Sequence, residues 1–170
     1  AALGRNAARQ QPRVRMFELG KVFAANAGAA PIETPCIAAV ACGPAHGEQW
    51  SEKARPVDFH DLKGDLDSLA ALSGAQLEYR PAAPAWGHPG RSAQVLRDGQ
   101  ALGWIGQLHP RLQQALGLDG EVVAFELDLD PLLVRSIPLA RAVSRFPSVR
   151  RHLAFVVADT VPGAAVAATV

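Results

Sequence analysis

Hydrophobic and polar positions divide the chain into a series of strands and one clear helix. Residues 13–23 read as a strand in which Val14 and Met16 alternate with Arg13 and Arg15, after which Phe17 and Leu19 take over the apolar positions. That change of phase at Met16–Phe17 predicts either a bulge or a strand buried on both faces. Residues 34–43 are an almost unbroken apolar run, as expected of a strand inside a sheet. Within residues 57–74, Leu62, Leu66, Leu69 and Leu72 recur at helical spacing until Gly74 ends the helix. A short strand at 76–80 and a proline-rich loop at 81–90 follow. Residues 92–108 predict a hairpin, with Ala93 and Val95 alternating against Gln94 and with Asp98-Gly99 as a two-residue type I′ turn. Pro110 opens a short helix that Gly117 follows. Val123, Phe125 and Leu127 then alternate with Glu126 and Asp128, which predicts a strand with one exposed face, and Asp130 is placed to cap a short helix running to Val134. Residues 137–146 read as a linker, 152–158 as a further strand, and Pro162-Gly163 as the entry to a last helix. The order of elements lacks regular βαβ alternation, so the expected class is α+β. Both chain ends read as truncations.

Composition narrows the functional classes. Lys+Arg total 17 and Asp+Glu 16, so only a local basic patch could attract nucleic acid. The hydrophobic fraction of 49% supports a core, although alanine supplies much of it. Cys36 and Cys42 would lie about 20 Å apart on one strand, at roughly 3.3 Å per residue, too far for a disulfide. They read as small apolar core residues of a reducing compartment. No stretch is long and apolar enough to span a membrane, so no membrane partner is expected.

Candidate chemistry is sparse. His46, His60, His88, His109 and His152 form no zinc-site spacing, and His88 and His109, each before a proline, suit turns. Asp58, Asp61, Asp65 and Asp67 gather around the start of the leucine helix, a cluster that could bind a cation but is better read as acids complementing the helix dipole. Ser92 has no base beside it, and no nucleophile–base pair joins His88, Arg91 and the acids near Asp61. Gly103-Trp104-Ile105-Gly106 falls in a strand, where its glycines suit close packing or a bulge rather than a phosphate loop. Arg135, Arg141, Arg145, Arg150 and Arg151 occupy one stretch without an intervening acid, with Phe146 among them, a combination suited to phosphate and base contacts and equally to a solvated linker. Arg5, Arg9, Arg13 and Arg15 make a second basic cluster, diluted by Glu18.

Six segments in order resemble the beta subunit of bacterial-type phenylalanyl-tRNA synthetase: Arg15-Met16-Phe17-Glu18-Leu19-Gly20-Lys21-Val22-Phe23, Val57-Asp58-Phe59-His60-Asp61-Leu62-Lys63-Gly64, His88-Pro89-Gly90-Arg91-Ser92-Ala93, Ile105-Gly106-Gln107-Leu108-His109-Pro110, Phe125-Glu126-Leu127-Asp128-Leu129, and Ser144-Arg145-Phe146-Pro147-Ser148-Val149-Arg150-Arg151. The resemblance implies a degenerate class II synthetase core over residues 1–140, an antiparallel sheet flanked by helices. Over residues 141–170 it implies a linker and the truncated start of a ferredoxin-like anticodon-binding domain. It also implies a cytoplasmic α2β2 ligase in which the alpha subunit activates the amino acid, ATP and Mg belong to the parent complex, and this chain holds no cofactor. The implied partners are that alpha subunit and tRNA(Phe). Arg145, Arg150 and Arg151 would then meet RNA, and His88, Pro89, Gly90 and Arg91 would form a structural or interface loop. No residue is expected to be catalytic and none to bind metal. The arginines that hold ATP phosphates in class II sites have no counterpart, since Arg15-Met16-Phe17-Glu18 carries the residues in another order. Gln107 stands where the family has glutamate, removing a charge, and His152 where it has aspartate. An alternative reading is a synthetase-like paralogue acting as a regulatory or protein-interaction module without aminoacylation.

Overall fold

Eleven elements are laid out in chain order in the computed structural model, which describes residues 2–135, 137, 139–140, 143 and 145–169. They are α1 (Ala2–Ala8), β1 (Val14–Ala24), β2 (Ile32–Cys42), α2 (Phe59–Ala71), β3 (Glu78–Pro81), β4 (Gly87–Arg97), β5 (Gln100–Leu108), α3 (Pro110–Ala115), β6 (Val122–Asp128), α4 (Leu129–Leu133) and α5 (Gly163–Ala167). The six strands form one antiparallel sheet in the order β1-β2-β6-β5-β4-β3. Contacts divide the chain into two units, Ala1–Ile137 and Pro138–Val170.

Strand register sorts side chains onto two faces, because alternate residues point to opposite sides. One face carries Ile37, Ala41, Val123, Phe125, Leu127, Ile105, Ala93 and Val95, and α2 covers it with Leu62, Leu66 and Ala70, while Leu132 of α4 joins the same cluster. Leu66 and Ile105 are fully buried, and truncating such a leucine to alanine costs roughly 2–5 kcal/mol. The opposite face is covered only in part: Leu3 of α1 packs with Val14 and Val122, flanked by Met16, Val40 and Leu108.

Local chemistry explains the element ends. Asp98 and Gly99 have φ of 51° and 77°, as a type I′ turn requires. Asp58 caps α2 by accepting from the His60 and Asp61 amides, and Asp61 returns the bond to the Asp58 amide. Between Val95 and Leu96 the β4–β5 register shifts, so Leu102 is an extra residue in β5. The neighbouring Gly103 is the close approach: a Cβ there would lie 2.0 Å from the Glu126 carbonyl oxygen. Both roles expected of the Gly103–Gly106 segment, bulge and close packing, are therefore present.

Several expectations are corrected. β1 has neither a bulge nor two buried faces: it pairs with β2 without a register shift and is an edge strand, with Phe17 74% and Phe23 63% exposed. The leucine helix itself ends at Ala71, with Leu72 as its exposed C-cap. β6 alternates as expected, with Val123, Phe125 and Leu127 buried and Glu126 exposed, except that Val122 on the Glu126 side is buried against Leu3 of α1. Asp130 does not cap α4: the N-cap is Asp128, which makes no side-chain cap bond. The expected loop at 81–90 ends earlier, for His88–Gly90 lie within β4. In the second unit, residues 152–158 form no strand. Apolar alternation supplies a face but not a hydrogen-bonding neighbour, and among the described residues nothing pairs with this segment. α5 does follow Pro162.

Candidate functional site

The His88-Pro89-Gly90-Arg91 segment occupies the irregular start of β4, where pairing with β5 is interrupted between Gly87 and Ser92. His88 Nδ1 accepts from the Gly90 amide at 3.1 Å, and His109 Nδ1 accepts from the Arg111 amide at 3.2 Å, so both histidines fix local backbone. Arg91 Nη1 donates to Gln107 Oε1 at 2.9 Å and to Glu121 Oε1 at 2.7 Å. The glutamine at 107 therefore does not leave Arg91 without a carboxylate, because Glu121 supplies one from the loop before β6. Gln107 itself is buried. Beside this cluster Ser92 Oγ is buried without a hydrogen-bond partner, packed where a Cβ on Gly106 would approach it to 2.4 Å and one on Gly87 to 2.8 Å. The arrangement locks β4, β5 and the β6 entry together, and Ser92 has no base to activate it.

The acids of the leucine helix are structural. Arg55 donates two hydrogen bonds to Asp61, at 2.6 and 2.7 Å. Those bonds and the bond from the Asp58 amide outweigh burial and hold the Asp61 carboxyl well below the usual carboxylate range. Asp65 pairs with Arg15 at 3.4 Å, and Asp67 pairs with Lys63 at 2.6 Å while accepting from the Tyr79 hydroxyl. Burial, then that bond, pushes the Tyr79 phenol far above its ordinary range. Among the described residues no group of three or more metal-ligating side chains occurs.

Two concave surfaces flank the sheet. On the α2 face an apolar cleft of about 600 Å³ is lined by Phe17, Leu19, Leu69, Leu72 and Leu133, with Arg15, Asp65 and Arg135 as its charged members. On the opposite face a groove of about 520 Å³ runs over Ala38, Val40 and Ala124 between Glu18, Glu126 and Trp104. Trp104 also packs on Trp86, ring centroids 3.7 Å apart. Neither surface is visible in the sequence, because each is assembled by register between strands far apart in the chain.

Arg145, Arg150 and Arg151 lie exposed in the second unit, and among the described residues none has an ion-pair or hydrogen-bond partner. Arg141, part of the same basic stretch, and Ser144, the first residue of the last resemblance segment, lie outside the described residues. The cysteines are free thiols. Burial, with Asp128 and Glu126 nearby, pushes the Cys36 thiol up. No helix is long and apolar enough to cross a membrane.

Comparison first gives the class. The fold is similar to that of a pyrrolysyl tRNA synthetase, PylSc of Desulfitobacterium hafniense, with a TM-score of 0.51 and 18% identity over 76% of this chain and 43% of that one. At that identity the likeness is one of fold, an antiparallel sheet with helices of aminoacyl-tRNA synthetase type. Residues 1–129 match the Phenylalanyl tRNA synthetase beta chain CLM domain, and the chain belongs to that family. Phenylalanine–tRNA ligase beta subunits of Xanthomonas oryzae pv. oryzae (strain MAFF 311018) and Xylella fastidiosa (strain Temecula1) are 63% and 59% identical to it over 172 aligned residues. The alignments include all of this chain but 22% of each relative, so the chain spans about a fifth of their length.

Proposed function

We propose that the chain is the non-catalytic core of a phenylalanine–tRNA ligase beta subunit, supporting ATP-dependent charging of tRNA(Phe) by a cytoplasmic alpha subunit within an α2β2 assembly. The first unit is then a degenerate class II core, and residues 141–170 begin a ferredoxin-like anticodon-binding domain. The observation that carries this reading is the position of Arg15. It lies on the α2 face, paired with Asp65, whereas the open groove of the sheet presents carboxylates and no arginine or lysine among the described residues. Phosphoryl transfer needs cationic groups around the transferred phosphates, and such a groove repels them. ATP and Mg belong to the alpha subunit in this account.

Arg145, Arg150 and Arg151 are the RNA contacts of the proposal, exposed and uncompensated by acids. His88, Pro89, Gly90 and Arg91 act structurally by pinning β4. The test replaces the three arginines by alanine in the full-length beta subunit assembled with its alpha subunit. The affinity for tRNA falls, and the dependence of log affinity on log salt becomes shallower by about 0.7–0.9 for each phosphate contact removed. Activation of phenylalanine without tRNA stays at the parent rate. Unchanged affinity and slope contradict the assignment.

A further inference from the structure

The longest loop of the first unit joins β2 to α2 and carries Trp50, fully exposed, at its midpoint. The base of this loop is closed. The Val57 amide donates to the Gly43 carbonyl and the Ala45 amide to the Arg55 carbonyl, both at 2.9 Å. Arg13 Nη2 reaches the Ala45 carbonyl at 3.3 Å, and Arg55 is held in turn by Asp61. Side chains tie the far end: Gln49 donates to Glu52 and accepts from Ser51, both at 3.3 Å. Trp50 stands outside these contacts, presented to water on a stapled loop. One exposed indole calls for no partner by itself. The same unit, however, also carries a hollow of matching chemistry.

That hollow is the apolar cleft of about 600 Å³ on the α2 face, large enough for an aromatic side chain, since pockets of roughly 300–1,000 Å³ hold whole small ligands. Leu72 and Leu133 on its lining lie exposed. Charge is complementary as well. Glu48 and Glu52 flank Trp50, whereas the cleft is lined by Arg15 and by Arg135, which has no ion-pair partner among the described residues. Trp50 does not fill the cleft of its own chain, because it is fully exposed. The two features sit toward opposite ends of α2, a helix about 20 Å long at 1.5 Å per residue. The loop ends at Val57, just before the N-cap Asp58, while Leu69 and Leu72 bring the cleft to the C-terminal end. Between them the outward side of α2 shows Gly64, Ser68 and Ala71 exposed at helical spacing, so no bulky side chain keeps a second helix away.

We propose that two copies of this chain pair through antiparallel α2 helices about a two-fold axis, each inserting Trp50 into the α2-face cleft of the other, with Glu48 and Glu52 against Arg135 and Arg15. One surface supplies both the knob and the hole, so the two contacts form together and the assembly closes at two copies. A tryptophan seated in an apolar pocket is the kind of anchor that dominates interface energetics. The α2β2 assembly proposed above contains two such chains, but the pairing goes beyond that reading and does not depend on it.

The experiment is sedimentation equilibrium of the 170-residue chain over a concentration series, alone and in mixtures of differently labelled variants. The parent is expected to show a monomer–dimer equilibrium. Trp50→Ala removes the anchor from both contacts and should raise the dissociation constant at least about a hundredfold. Leu72→Gln with Leu133→Gln should do the same from the cleft side, and both residues are exposed, so the core is untouched. Mixing is the decisive arm. The Trp50→Ala chain keeps its cleft and the double glutamine chain keeps its tryptophan, so the mixed pair retains one intact contact. These two variants should therefore bind each other more tightly than either binds itself. If the double glutamine variant unfolds, Arg135→Glu takes its place in the mixture, because Arg135 is exposed. The proposal is overturned by a parent that stays monomeric throughout, by a Trp50→Ala chain that pairs as the parent does, or by a mixture that pairs no better than its components. Pairing that survives Trp50→Ala would point to the β1 edge instead.

Discussion

Asp61 performs two tasks with one carboxylate: it closes the capping box of α2 and takes both hydrogen bonds from Arg55. Its folded-state pKa lies below its unfolded one, so its contribution to stability is complete above the ordinary carboxylate pKa of about 4 and is lost as pH falls toward the folded value. Urea unfolding should therefore show Asp61→Asn clearly less stable than the parent at neutral pH, with the gap beginning to narrow only as pH falls below about 4. Asp58→Ala should cost about 1 kcal/mol by the same measurement, since it removes the side chain that accepts two helix amides. At the β4–β5 contact, Gly106→Ala should cost roughly 1–3 kcal/mol or more, because its Cβ would meet Ser92 at Oγ, Cα and Cβ, at 2.4, 2.7 and 2.7 Å. Ser92→Ala deletes a buried hydroxyl without a partner and should be close to neutral. The two together should lose close to the sum of the single changes, because the Ser92 Cα and Cβ contacts at 2.7 Å remain once the hydroxyl is gone, and a double-mutant cycle reads this directly. A double variant that recovers most of the Gly106→Ala loss would mean that the hydroxyl contact alone sets the cost.

Among the elements, β1 is the most exposed to unwanted pairing. It is an 11-residue edge strand without a bulge, and Phe17, Leu19 and Phe23 stand exposed on its α2 side. Such an edge invites another strand. Replacing Leu19 by lysine should lower light scattering on heating of this chain while leaving its urea midpoint within about 0.5 kcal/mol of the parent. The same strand shows where pattern reading stops. Apolar residues on both sides of β1 suggested burial on both faces or a bulge, but one side is instead largely exposed. Periodicity reports which residues are apolar and not what covers them. The leucine helix, the hairpin and its Asp98-Gly99 turn were legible because their signals are local: helical spacing, a cap, a turn pair. Residues 152–158 look like a strand by the same local rule and yet form none, since pairing is non-local. The Arg91–Glu121 bond and the groove between Glu18, Glu126 and Trp104 were not legible for that reason too. Each joins residues brought together by register.

At the scale of the whole molecule, the ordered motifs told more than charge or composition. A net formal charge of +1 argues for no particular partner, whereas family membership over residues 1–129 accounts for the sheet, the leucine helix and the pinned start of β4. The degenerate character of the core is a proposal built on Arg15 being held by Asp65 away from an acidic groove. The direct test combines the full-length beta subunit with the alpha subunit of the same organism and measures charging of tRNA(Phe), with each subunit alone as control. The account predicts charging by the mixture and by neither subunit alone. Charging by the alpha subunit alone at the rate of the mixture, or phenylalanine activation by the beta subunit alone, would contradict it.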